Sequence, residues 1–272
     1  MTRKSCCHLP PTLIFQTISV LAAGVHTTLP VEHKRTANAP LLGADHPERA
    51  HSEVSGSGSI FAFVPAHSGS RAGAVAQQLS RTFAEGLGVT VLLADFDRRG
   101  CSACGAPETP KRVDHSTWGA FVSEVNGIPV LKAPDVKPRQ LGRLLEYARR
   151  RFPIVCADLT GASEAYAIEI LRAAASIFVV SGSDTASLQA VRGKMNWLRS
   201  LNLANDAGLL LEHTPHGASA GEAEEKTGVP VCSLVENASQ VTQLATWLAL
   251  NALAANEAGE PLGAAVELAQ AV

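Results

Sequence analysis

The chain has 272 residues, 46% of them hydrophobic and 5% aromatic, with a formal net charge of −2. This length and apolar content suit one α/β domain with a sizeable core plus tails, and the near-neutral charge gives no whole-chain reason to expect nucleic-acid binding. Six cysteines, Cys6, Cys7, Cys101, Cys104, Cys156 and Cys232, do not make a disulfide framework at this length, and Cys156 and Cys232 sit in apolar runs as small core residues.

At the N-terminus Arg3 and Lys4 precede an apolar run from Leu13 to Val25. The run is shorter than the ~20 residues that span a bilayer. It reads either as a secretory leader, with Ala22, Ala23 and Gly24 near a cleavage point, or as an extension ahead of the domain. Residues 26–58, rich in Pro, His and Gly and ending in SEVSGSGS with Ser59, read as a linker. The expected organisation is an extension and linker over 1–58, an α/β domain over 59–256 and a tail over 257–272.

From Ser59 the pattern changes. SIFAFV (59–64) predicts a buried strand, and Ala72, Val75, Ala76, Leu79, Phe83 and Leu87 follow at helical spacing, with Gly86 and Gly88 as the stop. VTVLLADFD (89–97) predicts a second strand. Residues 98–128 read as irregular, with a short helix near Trp118 to Val125. IPVLKAP (128–134) predicts a third strand, and residues 137–151 a helix carrying Leu141, Leu144, Leu145 and Ala148 on one face. FPIVCADL (152–159), SIFVVSG (176–182), GLLLEH (208–213) and VPVCSLV (229–235) read as further strands. Helices over 163–175, 184–201, 219–227 and 238–256 separate and follow them. Strands that are continuous apolar runs, alternating with helices, imply a mainly parallel sheet covered on both faces. Ligands of such sheets bind at the carboxyl ends of the strands. The loop after the first strand, Asp95 with Asp97, and Asp158 all fall at such ends.

Three segments, in order, carry a family resemblance. FVPAHSGSRAGAVAQQLS (63–80) has the strand–loop–helix form of a phosphate-binding loop. VLLADFDRRG (91–100) follows the first helix, and FPIVCADLTG with AAASIFVVSGSDTASLQA comes later. Over roughly residues 59–250 this resembles the MinD/ParA ATPase family, and within it the CpaE-like branch linked to pilus assembly. The resemblance implies a three-layer αβα, P-loop NTPase-like fold, ATP and Mg²⁺ as cofactors, a homodimer, protein partners of a localisation or assembly system, and a cytoplasmic location. Its nucleotide-binding positions fall on His67, Ser68, Gly69, Ser70, Arg71, Ala72 and Gly73, with Asp97 and Asp158 on the acidic side. Asp95 matches the aspartate that positions metal and water, the catalytic residue if the chain is active. Metal would be held only as Mg²⁺, through Asp95 or Asp158.

The loop departs from the family pattern. The lysine that reaches across a dimer is His67, the next glycine is Ser68, and Gly69 is kept. A further glycine is Arg71, the phosphate-binding lysine is Ala72, and the Mg²⁺-binding Ser/Thr is Gly73. A phosphate loop works through inward backbone N–H groups, a lysine charge and a hydroxyl on the metal. Arg71 in a left-handed conformation would cost ~1–2 kcal/mol. Each lost charge-assisted hydrogen bond would cost about 1.5–3 kcal/mol. The loop is therefore expected to be degenerate, with weak or absent nucleotide binding. If the loop slips by one residue, Arg71 takes the lysine's place, but the hydroxyl is still missing. Glu212 or His213 stands where the family usually reads adenine with Asn.

Three functions follow from the resemblance: a localisation or assembly adaptor without catalysis, an active Mg²⁺-dependent ATPase, or a relative of the bacterial tyrosine kinases of polysaccharide export. The last fits poorly, since the only tyrosines are Tyr147 and Tyr166, both in predicted helices. CSAC (101–104) lacks a second cysteine pair for zinc and is followed by a poor helix start, so it reads as a loop. His213 and His216 lack a third ligand. ARRR (148–151) reads as favourable charge at a helix C-terminus, and Arg192, Lys194 and Arg199 form a patch rather than a nucleic-acid stripe. No Lys or Arg follows Lys226, so a MinD-type cationic membrane helix is not expected.

Overall fold

The structure is a computed structural model and describes residues 58–96, 115–132, 137–212, 214 and 216–258, all within one compact unit. The expected extension and linker lie outside the described residues except for Gly58. So do CSAC, Asp97, His213 and the tail beyond Ala258.

The strands are β1 Ser59–Pro65, β2 Val91–Asp95, β3 Val122–Val125, β4 Ile128–Lys132, β5 Ile154–Asp158, β6 Ser176–Gly182, β7 Ala207–Glu212 and β8 Val231–Leu234. The helices are α1 Ala72–Arg81, α2 His115–Trp118, α3 Pro138–Arg151, α4 Glu164–Ala173, α5 Thr185–Ser200, α6 Ala220–Thr227 and α7 Ala238–Ala258. The sheet order is β3-β4-β2-β5-β1-β6-β7-β8, parallel throughout except for β3 against β4. This is the α/β fold that the continuous apolar runs imply.

Strand alternation sorts the core onto the two faces. Ile60, Ala62 and Val64 of β1 join Leu92 of β2 in one cluster with α3, α4 and α5, through Leu144, Ile170 and Val191. Phe61 and Phe63 join Leu93 in the other, with Val75 and Leu79 of α1 and Leu244 and Leu248 of α7. On this second face Phe63 stacks on Phe178 with centroids 5.6 Å apart. Cys156 is fully buried there, and burial pushes its thiol up to about 12, so it behaves as the small apolar residue expected. Cys232 is half-buried against the same cluster.

One segment differs from expectation. Residues 122–125 are strand rather than helix, and the helix before them covers only His115–Trp118. Val122 pairs with Leu131 and Val125 with Ile128 in an antiparallel hairpin. Its turn is Asn126-Gly127, both in the left-handed region at φ 52° and 76°. Asn-Gly is the preferred pair for a two-residue hairpin turn, and that dipeptide outweighs the weak helical spacing before it.

The helix signals elsewhere are local and strong. Ser219 and Glu222 form a reciprocal capping box at the start of α6, and Gly228 ends it at φ 69°. The ARRR run is tied down within the chain. Arg149 donates to the Gly58 carbonyl at 2.8 Å, Arg150 pairs with Glu146 at 3.2 Å, and Arg151 donates to the Tyr147 hydroxyl at 3.1 Å.

Gly127→Ala tests the hairpin, because a Cβ at φ 76° is strained although space is open around it. The variant is expected to lose about 1–2 kcal/mol in urea unfolding, while Gly119→Ala, at a neighbouring glycine with negative φ and equal space, changes little.

Candidate functional site

The site forms at the carboxyl ends of β1, β2, β5, β6 and β7. Parallel register sets Asp95 of β2 directly beside Asp158 of β5, and Asp158 beside Phe63 of β1. The loop from Ala66 to Arg71 leaves the end of β1 and delivers the chain into α1. Ala72, in the position of the family lysine, is fully buried in the core.

Three of the loop's polar side chains, His67, Ser70 and Arg71, have partners inside the protein. Ser70 N–H donates to the His67 carbonyl at 3.1 Å, closing a turn over 67–70. The Ser70 hydroxyl donates to the Val180 carbonyl at 2.7 Å, and Ala66 N–H donates to that same carbonyl at 3.0 Å. This ties the loop to β6. Gly69 N–H donates to His67 Nδ1 at 3.0 Å, and His67 Nε2 lies 3.1 Å from Ser187 Oγ on α5. Arg71 Nε pairs with Glu212 Oε1 at 2.8 Å; the arginine side chain is 69% exposed and the glutamate 11%. Ser68 is exposed at the tip.

The backbone of the loop settles one condition. Arg71 has φ −92° and ψ 34°, so it bears no left-handed strain. No residue from Ala66 to Gly73 has a positive φ, and neither Gly69 nor Gly73 uses glycine's backbone freedom. Gly73 is required for a different reason: a Cβ there would lie 2.5 Å from Asp158 Oδ2 and 3.4 Å from Thr160 Oγ1. The space of a residue-73 side chain is filled by the carboxylate at the end of β5. Asp158 is 5% exposed, and Thr160 N–H donates to its Oδ1 at 2.8 Å. Thr160 Oγ1 is buried with no hydrogen-bond partner.

A second polar cluster flanks the loop. Asp184 caps α5, accepting from Ser187 N–H at 3.0 Å and from the Ser187 hydroxyl at 2.5 Å. These bonds hold its carboxyl below the usual carboxylate range. Ser183 and Thr214 hydroxyls lie 2.8 Å apart, and Thr214 N–H donates to Ser183 Oγ at 2.9 Å. Gly217 is needed beside them, because a Cβ there would overlap Ser183 Oγ.

The structure thus gathers His67, Ser68, Gly69, Ser70, Arg71, Ala72, Gly73, Asp95 and Asp158 at one end of the sheet, with Glu212 facing the loop. Asp97 and His213 lie outside the described residues. Ser183, Asp184, Ser187 and Thr214 were missed by sequence reasoning. The SGSDTASL stretch after an apolar strand, with Asp184 three residues before Ser187, is the capping signal that marks them. Glu212 is found at the strand end, but its pairing with Arg71, 141 residues away, had no local signal.

The three cations of α5 have internal contacts. Arg199 donates to Asn196 at 2.7 Å, Lys194 lies 5.0 Å over the Trp197 ring, and Arg192 donates to the Lys226 carbonyl. Among the described residues no group of three His, Cys, Asp or Glu could hold a metal ion, and no helix is long and apolar enough to cross a membrane.

Two outcomes are expected here. Thr160→Val removes a buried, unpartnered oxygen at constant shape, so stability should stay level or rise by up to ~1 kcal/mol in urea unfolding; a clear loss would mean that the hydroxyl has a partner. Asp184 has a depressed carboxyl, so its contribution is present above the unfolded carboxylate range and fades as pH falls through the folded value. Ser187→Ala should therefore flatten the acid side of the stability–pH profile, measured by thermal melts between pH 3 and 7.

No family model matches the sequence, and no curated protein matches it. Solved structures do. A ParA family ATPase from Chlorobium tepidum TLS superposes with a TM-score of 0.58 at 14% identity, over 72% of this chain and 98% of that one. The MinC:MinD cell division protein complex from Aquifex aeolicus gives 0.51 at 10% identity, over 69% and 86%. A cobyrinic acid a,c-diamide synthase from Mycobacterium smegmatis, solved with an ATP analogue and magnesium, gives 0.53 at 18% identity, over 75% and 98%. With the strand order and the loop placed after β1, these matches establish that the described domain has the fold of the MinD/ParA-type P-loop ATPases.

Proposed function

We propose that this chain is a CpaE-like protein of the MinD/ParA type whose nucleotide binding is weak or lost, and that it serves as a cytoplasmic localisation or assembly adaptor in pilus or envelope machinery. The observation that carries this reading is the filled loop. The slot of a metal-binding hydroxyl at residue 73 holds the Asp158 carboxylate. Arg71, the cation within the loop, is paired with a largely buried Glu212. Ala72 buries an apolar side chain in place of the lysine. These residues do not fit Mg²⁺-ATP. Losing a lysine and a metal ligand costs about 1.5–3 kcal/mol per charge-assisted bond, and about 1.4 kcal/mol is tenfold in affinity. To these is added the cost of separating Arg71 from a carboxylate that would be left largely buried and unpaired.

Protein partners are favoured over other classes. The fold matches the MinC:MinD complex, in which a protein of this shape is held by another protein. Arg149 and Arg151 of α3 and Arg199 of α5 are engaged within the chain, which weighs against a nucleic-acid surface there. A homodimer is the assembly that the resemblance favours.

A second reading, an Mg²⁺-dependent ATPase, draws on one observation: Asp95 and Asp158 stand side by side at the ends of β2 and β5, where they could serve metal and water.

Calorimetric titration of the full-length chain with ATP, with and without Mg²⁺, separates the two. No binding up to millimolar ATP is expected, and Ala72→Lys alone should not restore it, because the residue-73 slot stays filled. Micromolar, Mg²⁺-dependent binding together with turnover that Asp95→Ala abolishes would overturn the adaptor reading in favour of the ATPase.

A further inference from the structure

We propose that His67 is the loop's built-in occupant: its neutral imidazole, with the proton on Nε2, latches the loop to the start of α5 and holds it closed with no nucleotide. The inference rests on the reading that the loop has given up its nucleotide, and it names what has taken the ligand's place.

The chemistry fixes the direction of every bond. A backbone N–H can only donate, and Gly69 N–H points at His67 Nδ1 from 3.0 Å. Nδ1 is therefore the bare, accepting nitrogen, and a neutral ring carries its hydrogen on Nε2. Nε2 lies 3.1 Å from Ser187 Oγ. The Ser187 hydroxyl gives its own hydrogen to Asp184 Oδ2 at 2.5 Å, because a carboxylate only accepts. Ser187 Oγ is left with free lone pairs, so it accepts from Nε2–H. The relay runs one way, from Gly69 N–H into the ring and from the ring through Ser187 to Asp184. Asp184 is itself the cap of α5.

Space agrees with the bonding. A Cβ at Gly69 would lie 3.2 Å from both Cε1 and Nδ1 of the ring. Glycine at 69 therefore makes room for the imidazole. Inward backbone N–H groups are what a phosphate loop offers an anion. Here the Gly69 group is already satisfied by the side chain two residues before it. A ligand entering the loop has first to break that bond and displace the ring from Ser187, which sits 120 residues further along the chain.

The test uses the full chain labelled with ¹⁵N-histidine. The His67 ring signals are those missing from His67→Gln. Their chemical shifts are expected to show a protonated Nε2 and a bare Nδ1; a proton on Nδ1 would overturn the proposal. Hydrogen exchange of a peptide covering 66–72 gives the second readout. Exchange is expected to rise about tenfold in His67→Ala and in Ser187→Ala, the change for one lost hydrogen bond. A β6 peptide monitored in parallel should be unchanged, which confirms that the variants fold. A wild-type loop that exchanges as fast as His67→Ala would sink the latch whatever ATP does. ATP that slows exchange in the wild-type loop would instead count against the lost-nucleotide reading, with the tautomer measurement still deciding the state of the ring.

Discussion

A carboxylate pressed against the first turn of a helix sets the terms for this site. Asp158 is almost fully buried at the end of β5, and burying a charged group is costly unless it is hydrogen-bonded. Its Oδ1 takes the Thr160 N–H, and its Oδ2 occupies the room in which residue 73 would carry a side chain. Only glycine lets α1 start so close to the sheet. With α1 placed there, Ala72 falls wholly inside the core, and the connection from β1 has few residues with which to reach it. Three of those residues reach neighbouring elements, Ser70 to β6, His67 to α5 and Arg71 to β7.

Much of the fold was legible because its signals are local. Apolar runs of strand length, helical stripes such as Leu141, Leu144 and Leu145, and the alternation of the two imply a parallel sheet with helices on both faces, and the structure has it. The order of the loop, the strand-end aspartates and the later strands was also readable, since β-strand ends in such sheets collect on one side. The hairpin at Asn126-Gly127 was readable too, had the turn dipeptide been weighed above the helical spacing around Trp118. Whether Arg71 keeps a left-handed conformation was not legible; its φ is an ordinary negative one, so the conditional strain does not arise.

What was not legible is how the loop is filled. His67 and Ser187 are 120 residues apart, and Arg71 and Glu212 are 141 apart. Neither pairing leaves a periodicity or a spacing to find. Comparing each loop position with a phosphate-binding pattern identifies what is gone. It cannot identify the partners of His67 and Arg71, because those depend on α5 and the end of β7 meeting the loop in the folded domain. Fold and loop contacts are thus read from different signals: the architecture superposes on solved structures at 10–18% identity, while His67 and Arg71 meet Ser187 and Glu212 far along the chain.

The division of the core by the sheet also bears on how the chain is made. The face that holds Phe61 and Phe63 of β1 is closed by α1 and by α7, so the earliest described strand depends on the last described helix. As the polypeptide leaves the ribosome, the opposite face can be covered by α3, α4 and α5 while this one still lacks Leu244, Ala245 and Leu248. Contacts of such long sequence separation form late. A half-made chain would carry an uncovered strip of aromatic and aliphatic side chains until about the last turns of α7 emerge. That interval is when such a protein has most need of a chaperone.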